Sequence, residues 1–225
     1  ALTSTPDILA TTRSSRRPGT VVVGFALETN DPLAGGRAKL EAKDLDLIVV
    51  GTHDHSRVAE LVLTSVSHRV LLHASQPTLL VKGQARPIRR VLIAIEGRAD
   101  GTKICDWLIR HPFRAAVDAM LLTAIPMLPM LGEAPSTAFV SWSEEVVRQA
   151  EEQVRAFAQQ LPAERFTTSH QVTKGDPAAV ISQASKDFDL VVVGSHGREG
   201  LDRFLLGSVS HAIVHHVACP VLVVR

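Results

Sequence analysis

The chain is poor in cysteine, has almost no net charge and contains no long apolar run. Each shortage removes a class of function. Its 225 residues include two cysteines, Cys105 and Cys219. They stand far apart and form no metal-type spacing, so a reduced, cytoplasmic setting is expected. The 24 Lys and Arg nearly balance the 23 Asp and Glu. A surface spread with positive charge for nucleic acid is therefore not expected. No apolar stretch approaches the roughly 20 residues needed to cross a bilayer, so no membrane partner is expected either. The opening Ala1-Leu2-Thr3-Ser4-Thr5-Pro6 has no basic region followed by an apolar one and does not read as a signal peptide.

What is present is concentrated near the C-terminus. Val191-Val192-Val193-Gly194-Ser195-His196-Gly197 is followed, after the stretch from Arg198 to Leu206, by Gly207-Ser208-Val209-Ser210. This orders an apolar strand, a glycine-bearing turn, and a second glycine with hydroxyls opening a helix. Amides freed at such a turn and helix start cradle phosphate. The bland alternative is a tight turn plus a helix cap, with Ser208 as N-cap in either case. Arg198 is placed to reach a phosphate, although arginines on exposed loops are more often simply solvated. The motif lacks the lysine of a P-loop. Asp202 is the one nearby carboxylate that suggests magnesium, and spacing does not fix its position.

An internal repeat is the next strongest feature. Leu45–Lys82 aligns without gaps to Phe188–Arg225, with about 15 of 38 positions identical, too many for shared periodicity alone. Ser65-Val66-Ser67-His68 repeats as Ser208-Val209-Ser210-His211. Where phosphate chemistry would sit, the copies part: Gly197 corresponds to Asp54 and Gly207 to Thr64. A carboxylate repels phosphate and a Cβ crowds the backbone approach, so the second copy reads as competent and the first as degenerate.

Strands alternate with helices through the rest of the chain. Strands are expected at Arg90–Ile95, Ala116–Ile125, Thr167–Val172, Asp189–Val193 and Pro220–Val224. Helices are expected over Ile104–Ile109, from Ser143 through Leu161, after Asp176-Pro177 and through Val209–Val217. Pro126–Ser141 reads as a loop. The pattern predicts a doubly wound, Rossmann-like parallel α/β sheet, with ligands beyond the carboxyl ends of its strands.

The glycine spacing, with Asp-Leu-Val-Val-Val-Gly before it and Cys-Pro-Val-Leu-Val-Val after it, resembles the ATP-binding motif of the universal stress protein family, over about Pro87 to Arg225. The resemblance implies ATP, with or without Mg, held at its phosphates by Gly194, Gly197, Gly207 and Ser208, with His196, Arg198, Val209 and Ser210 beside them. The family's Asp at the end of the first strand, near the nucleoside, corresponds to Glu96. Its adenine pocket corresponds to positions near Ala124 and Val172. The first 44 residues instead resemble a segment of phosphopantothenate–cysteine ligase, a likeness expected to stop at Val50. The chain is thus expected to divide into a partial α/β unit at 1–82, a linker at 83–87 and a stress-protein domain at 88–225. Terminal strands Pro77–Val81 and Pro220–Val224 are expected to pair, either within the chain as a pseudo-dimer or between chains as a homodimer.

Three roles stay open on the sequence: a nucleotide-binding regulator, a dimerising stress adaptor that binds no nucleotide, and a ligase remnant. No catalytic residue is assigned. His53-Asp54-His55 has alternate imidazoles that suit zinc, yet no third ligand is placed by spacing, so no metal site is assigned. Of His215 and His216, at least one is expected to be exposed.

Overall fold

The computed structural model describes residues 15–17, 20–25, 45–51, 65–83, 86–111, 113–127, 137–195 and 206–225. The elements in chain order are β1 (Val23–Phe25), β2 (Leu47–Gly51), α1 (Ser65–His73), β3 (Thr78–Val81), β4 (Arg90–Ala94), α2 (Arg98–Arg110), β5 (Val117–Ile125), α3 (Thr137–Gln160), β6 (Phe166–Lys174), α4 (Pro177–Ala184), β7 (Leu190–Gly194), α5 (Ser208–His216) and β8 (Val221–Val224). All eight strands join one sheet in the order β1-β2-β3-β8-β7-β4-β5-β6. Every neighbouring pair is parallel except β3 with β8, which run antiparallel. The doubly wound α/β sheet is as expected, and among the described residues no helix is long and apolar enough to cross a membrane.

The strands at the centre are apolar on both faces because helices cover both. β7 is buried along its whole length, as is β8. One face gathers Leu92, Leu122, Val191, Val193, Ile213 and Val214 under α4 and α5. The other gathers Val91, Ile93, Ile104, Leu108, Val154 and Phe157 under α2 and α3. Such strands read as continuous apolar runs rather than alternation.

The repeat is visible in the coordinates. β2, α1 and β3 occupy the same repeat positions as β7, α5 and β8. Ser67 Oγ donates to Gly51 O at 2.9 Å, and its counterpart Ser210 Oγ donates to Gly194 O at 2.5 Å. Each brace ties the first turn of a helix to the end of its strand. The correspondence extends to β1, which registers Val23 against Leu47 as β4 registers Val91 against Leu190. The carboxylate before each second strand repeats its task too. Asp46 Oδ2 accepts from Val22 N–H at 2.8 Å, and Asp189 Oδ2 accepts from Arg89 and Arg90 N–H at 2.9 Å. The ligase-like segment therefore supplies a strand in the place that β4 fills in the other half.

β3 and β8 meet at the centre of the sheet, with Leu79 opposite Leu222. Both edges of each strand are occupied within the chain, so the terminal-strand pairing present is the intrachain form. Two boundaries differ from expectation. The short helix expected at Ile104–Ile109 runs from Arg98 to Arg110, and α3 begins at Thr137 rather than Ser143. In both cases weak helix formers near the start hide the first turn.

Candidate functional site

A cavity of about 280 Å³ opens at the carboxyl ends of β4, β5 and β7. Ala94, Leu122, Ala124 and Gly194 come from the strand ends, and Val146, Ala150 and Ile181 form apolar walls from α3 and α4. Its polar side is made by Glu96 and Asp100, and its far rim by Val209 and Ser210 at the start of α5. Open α/β sheets place ligands at such strand ends.

Five of the sequence-derived positions line this cavity: Glu96, Ala124, Gly194, Val209 and Ser210. Gly207 and Ser208 sit next to it at the helix start. The N-cap is Gly207, not Ser208, which is the first residue of α5 and exposed. Val172 is not brought to this cavity. It packs against the core under α2 and α3 and borders a separate cleft with Arg148 and Arg155. His196, Gly197, Arg198 and Asp202 lie outside the described residues, as do His53, Asp54 and His55.

The amides divide into used and available groups. Ser195 N–H donates to Val224 O at 2.8 Å, and Gly207 N–H donates to Ser195 O at 2.7 Å, so these two are turned into the protein. The intrahelical ladder of α5 begins with His211 N–H to Gly207 O at 2.8 Å. That leaves the amides of Ser208, Val209 and Ser210 without an acceptor inside the helix, and Gly207 has no side chain to cap them. Such a helix start favours an anion through both its N–H groups and its dipole.

Asp100 is the functional candidate that sequence reading missed. Only 5% exposed, it sits in the first turn of α2, and its Oδ2 accepts from Glu96 N–H at 3.3 Å. A Cβ built on Gly194 would lie 1.4 Å from Asp100 Oδ1, so the carboxyl rests directly on the glycine backbone. The signal was present: Asp100, Ile104 and Leu108 are four apart and share one buried helix face.

Burial pushes the Asp100 carboxyl from 3.8 up to about 7, the Glu96 amide pulls it back in part, and the Glu96 charge raises it further. The folded chain thus holds this proton more tightly than the unfolded chain does. Its stability falls as pH rises across the window from 3.8 to about 7. Asp100→Asn is expected to match the parent near pH 4 and to melt roughly 5 °C higher above pH 7. Melting curves at the two pH values check this, and an equal melting temperature at the higher pH would refute it.

The comparisons with known proteins agree with this architecture. Residues 87–225, more than half of the chain, match the Universal stress protein family. Residues 1–78 match the DNA/pantothenate metabolism flavoprotein C-terminal domain, so the ligase likeness continues past Val50, where it was expected to stop. A universal stress protein of Mycolicibacterium smegmatis is 30% identical over 82% of this chain and 63% of its own length. One from Mycobacterium tuberculosis is 29% identical over 82% of this chain and 60% of its own. The chain therefore spans about three fifths of the curated relatives it matches. In fold, it is similar to a functionally unknown protein of Pseudomonas aeruginosa, with TM-score 0.61, 20% identity, and coverage of 83% of this chain and 65% of that one. It is also similar to the hypothetical protein MJ0577, with TM-score 0.51, 19% identity, and coverage of 61% and 95%. Sequence match and sheet agree on one conclusion: this chain belongs to the universal stress protein family.

Proposed function

We propose that this chain binds ATP in the cavity beyond β4, β5 and β7 and uses it for regulation or partner choice rather than rapid turnover. The observation that carries this is a single opening that joins a buried carboxyl group, on one side, to the first-turn amides of α5 on the other. A volume of about 280 Å³ is near the small end for ligand sites. It suits a nucleoside, with the phosphates extending outward along the start of α5. Ala124 and the apolar wall supply a surface for the base. Asp100 and Glu96 would offer acceptors to the ribose hydroxyls, as an acidic side chain does in dinucleotide-binding sheets. Any magnesium would arrive on the triphosphate.

Turnover has no support among the described residues. Phosphoryl transfer needs a positioned nucleophile and concentrated positive charge. The cavity lining contains neither lysine nor arginine. Bound nucleotide would therefore act through the shape of the α5 end of the sheet.

Calorimetry on nucleotide-free protein titrated with millimolar ATP tests the proposal. Saturable heat is expected, and Gly207→Val should weaken binding roughly tenfold, about 1.4 kcal/mol, by adding bulk beside the helix-start amides. No heat at millimolar nucleotide would sink the ATP role and leave the adaptor role standing. Removing nucleotide from freshly purified protein should lower its melting temperature by mass action.

A further inference from the structure

We propose that His68, His211 and His215 form a binding site for a divalent transition metal, zinc by its chemistry, that clamps α1 to α5 where the two halves of the repeat meet. The site is distinct from the nucleotide cavity and does not rest on that proposal.

The geometry comes from two helices. His211 and His215 are four residues apart on α5 and share a face, with ring centroids 4.5 Å apart. His68 projects from α1, the repeat counterpart of α5, and its ring centroid lies 5.8 Å from His211 and 6.0 Å from His215. One ring nitrogen from each of the three lies within 4.8 Å of the other two. Zinc–imidazole bonds are about 2.0–2.1 Å long, so tetrahedral ligation needs these nitrogens to close by roughly 1.5 Å. His211 is exposed and His68 only half-buried, which leaves both free to turn inward.

A second observation points to a missing partner. The Nε2 atom of His215 is buried and has no hydrogen-bond partner. A buried ring nitrogen of this kind carries a desolvation cost that a metal ion removes. His215 is held below the ordinary histidine value by burial first, then by His211, His68, Lys82 and His216.

Lys82 is a cation that faces His215. Its ammonium is directed at Val214 O and Val217 O, whose dipoles partly offset it. Three protein ligands leave one coordination position for water or an external group. The cluster spans a sequence gap that no local spacing rule covers, which is why neither His53-Asp54-His55 nor His215-His216 revealed it.

Titrating nucleotide-free protein with Zn²⁺ alone, by calorimetry, is expected to show a single saturable site that a chelator reverses and that raises the melting temperature. Co²⁺ in its place should give the intense visible bands of tetrahedral nitrogen ligation. Loss of an outer-shell partner costs 10–100-fold in metal affinity, so His211→Ala should cost at least about tenfold. His68→Ala should do the same, while the His53→Ala/His55→Ala double variant should bind as the parent does. ATP affinity should be unchanged in His211→Ala. His211 is exposed, so its variant is expected to fold, and circular dichroism will show that it does. Absence of saturable zinc binding at micromolar concentration overturns the site, as does binding that survives His211→Ala or disappears with His53 and His55.

Discussion

Alanine at Gly194 is expected to destabilise the fold by roughly 1–3 kcal/mol, and removing the Asp100 carboxyl in the same chain is expected to return at least half of that loss. The reason is contact at the end of β7. A Cβ at Gly194 would fall 1.4 Å from Asp100 Oδ1 and 2.5 Å from its Cγ, distances no packing tolerates. The short Asp side chain has two escapes. It can swing into the cavity, where it would occupy ligand space, or it can push α2 off the sheet. Asp100→Ala removes the obstruction and the buried acid together. Urea unfolding of the parent, both single variants and the double variant closes the cycle. A coupling of about 1 kcal/mol or more is expected for groups in direct contact. Strictly additive effects would show that the carboxyl does not rest on Gly194.

Lys82→Met is expected to cost about 2–4 kcal/mol, measured by chemical denaturation at neutral pH. Lys82 is 2% exposed, and its Nζ donates to Val214 O at 2.5 Å and Val217 O at 2.7 Å. These carbonyls end α5, where a positive charge complements the helix dipole. The repeat makes the arrangement reciprocal. Arg225, which corresponds to Lys82, donates to Leu71 O in α1, and Leu71 corresponds to Val214. Each half of the chain thus caps the helix of the other. Methionine would keep most of the volume but leave both carbonyls without their donor.

The pH dependence of the parent supplies a second readout. Burial lowers the Lys82 amine from 10.5 to about 8. The folded chain therefore binds this proton less tightly than the unfolded chain, and stability attributable to the group rises as pH climbs from about 8 to 10.5. The methionine variant should lack that rise. A variant as stable as the parent at neutral pH, with the same alkaline profile, would show that the cross-cap contributes nothing.

The cavity at the strand ends was partly legible because its rim is local. Gly194, Gly207 and Ser210 lie within one strand–turn–helix stretch, and strand period plus glycine spacing places them at the end of the sheet. The Ser210 brace to Gly194 O is a contact between neighbours in that stretch. The use of each amide was not legible. Glycine spacing does not say whether Gly207 N–H faces a ligand or the protein, and it donates to Ser195 O. Asp100 escaped notice because the helix was expected to begin only at Ile104, which left Asp100 outside it, whereas it begins at Arg98. Here the apolar face of α2 continues through it, and Gly194 gives it room.

By itself the sequence determined the repeat, the alternation of strands and helices and the family likeness. All of these rest on short-range periodicity and on residues that follow one another. Tertiary structure alone decided that β3 pairs with β8 within the chain, the seat of Asp100 on Gly194, the exchange of caps by Lys82 and Arg225, and the meeting of His68 with His211 and His215. Those contacts join residues far apart in the chain, and their strength comes from burial. A side chain's burial is set by whatever the rest of the molecule packs against it, which no local pattern encodes.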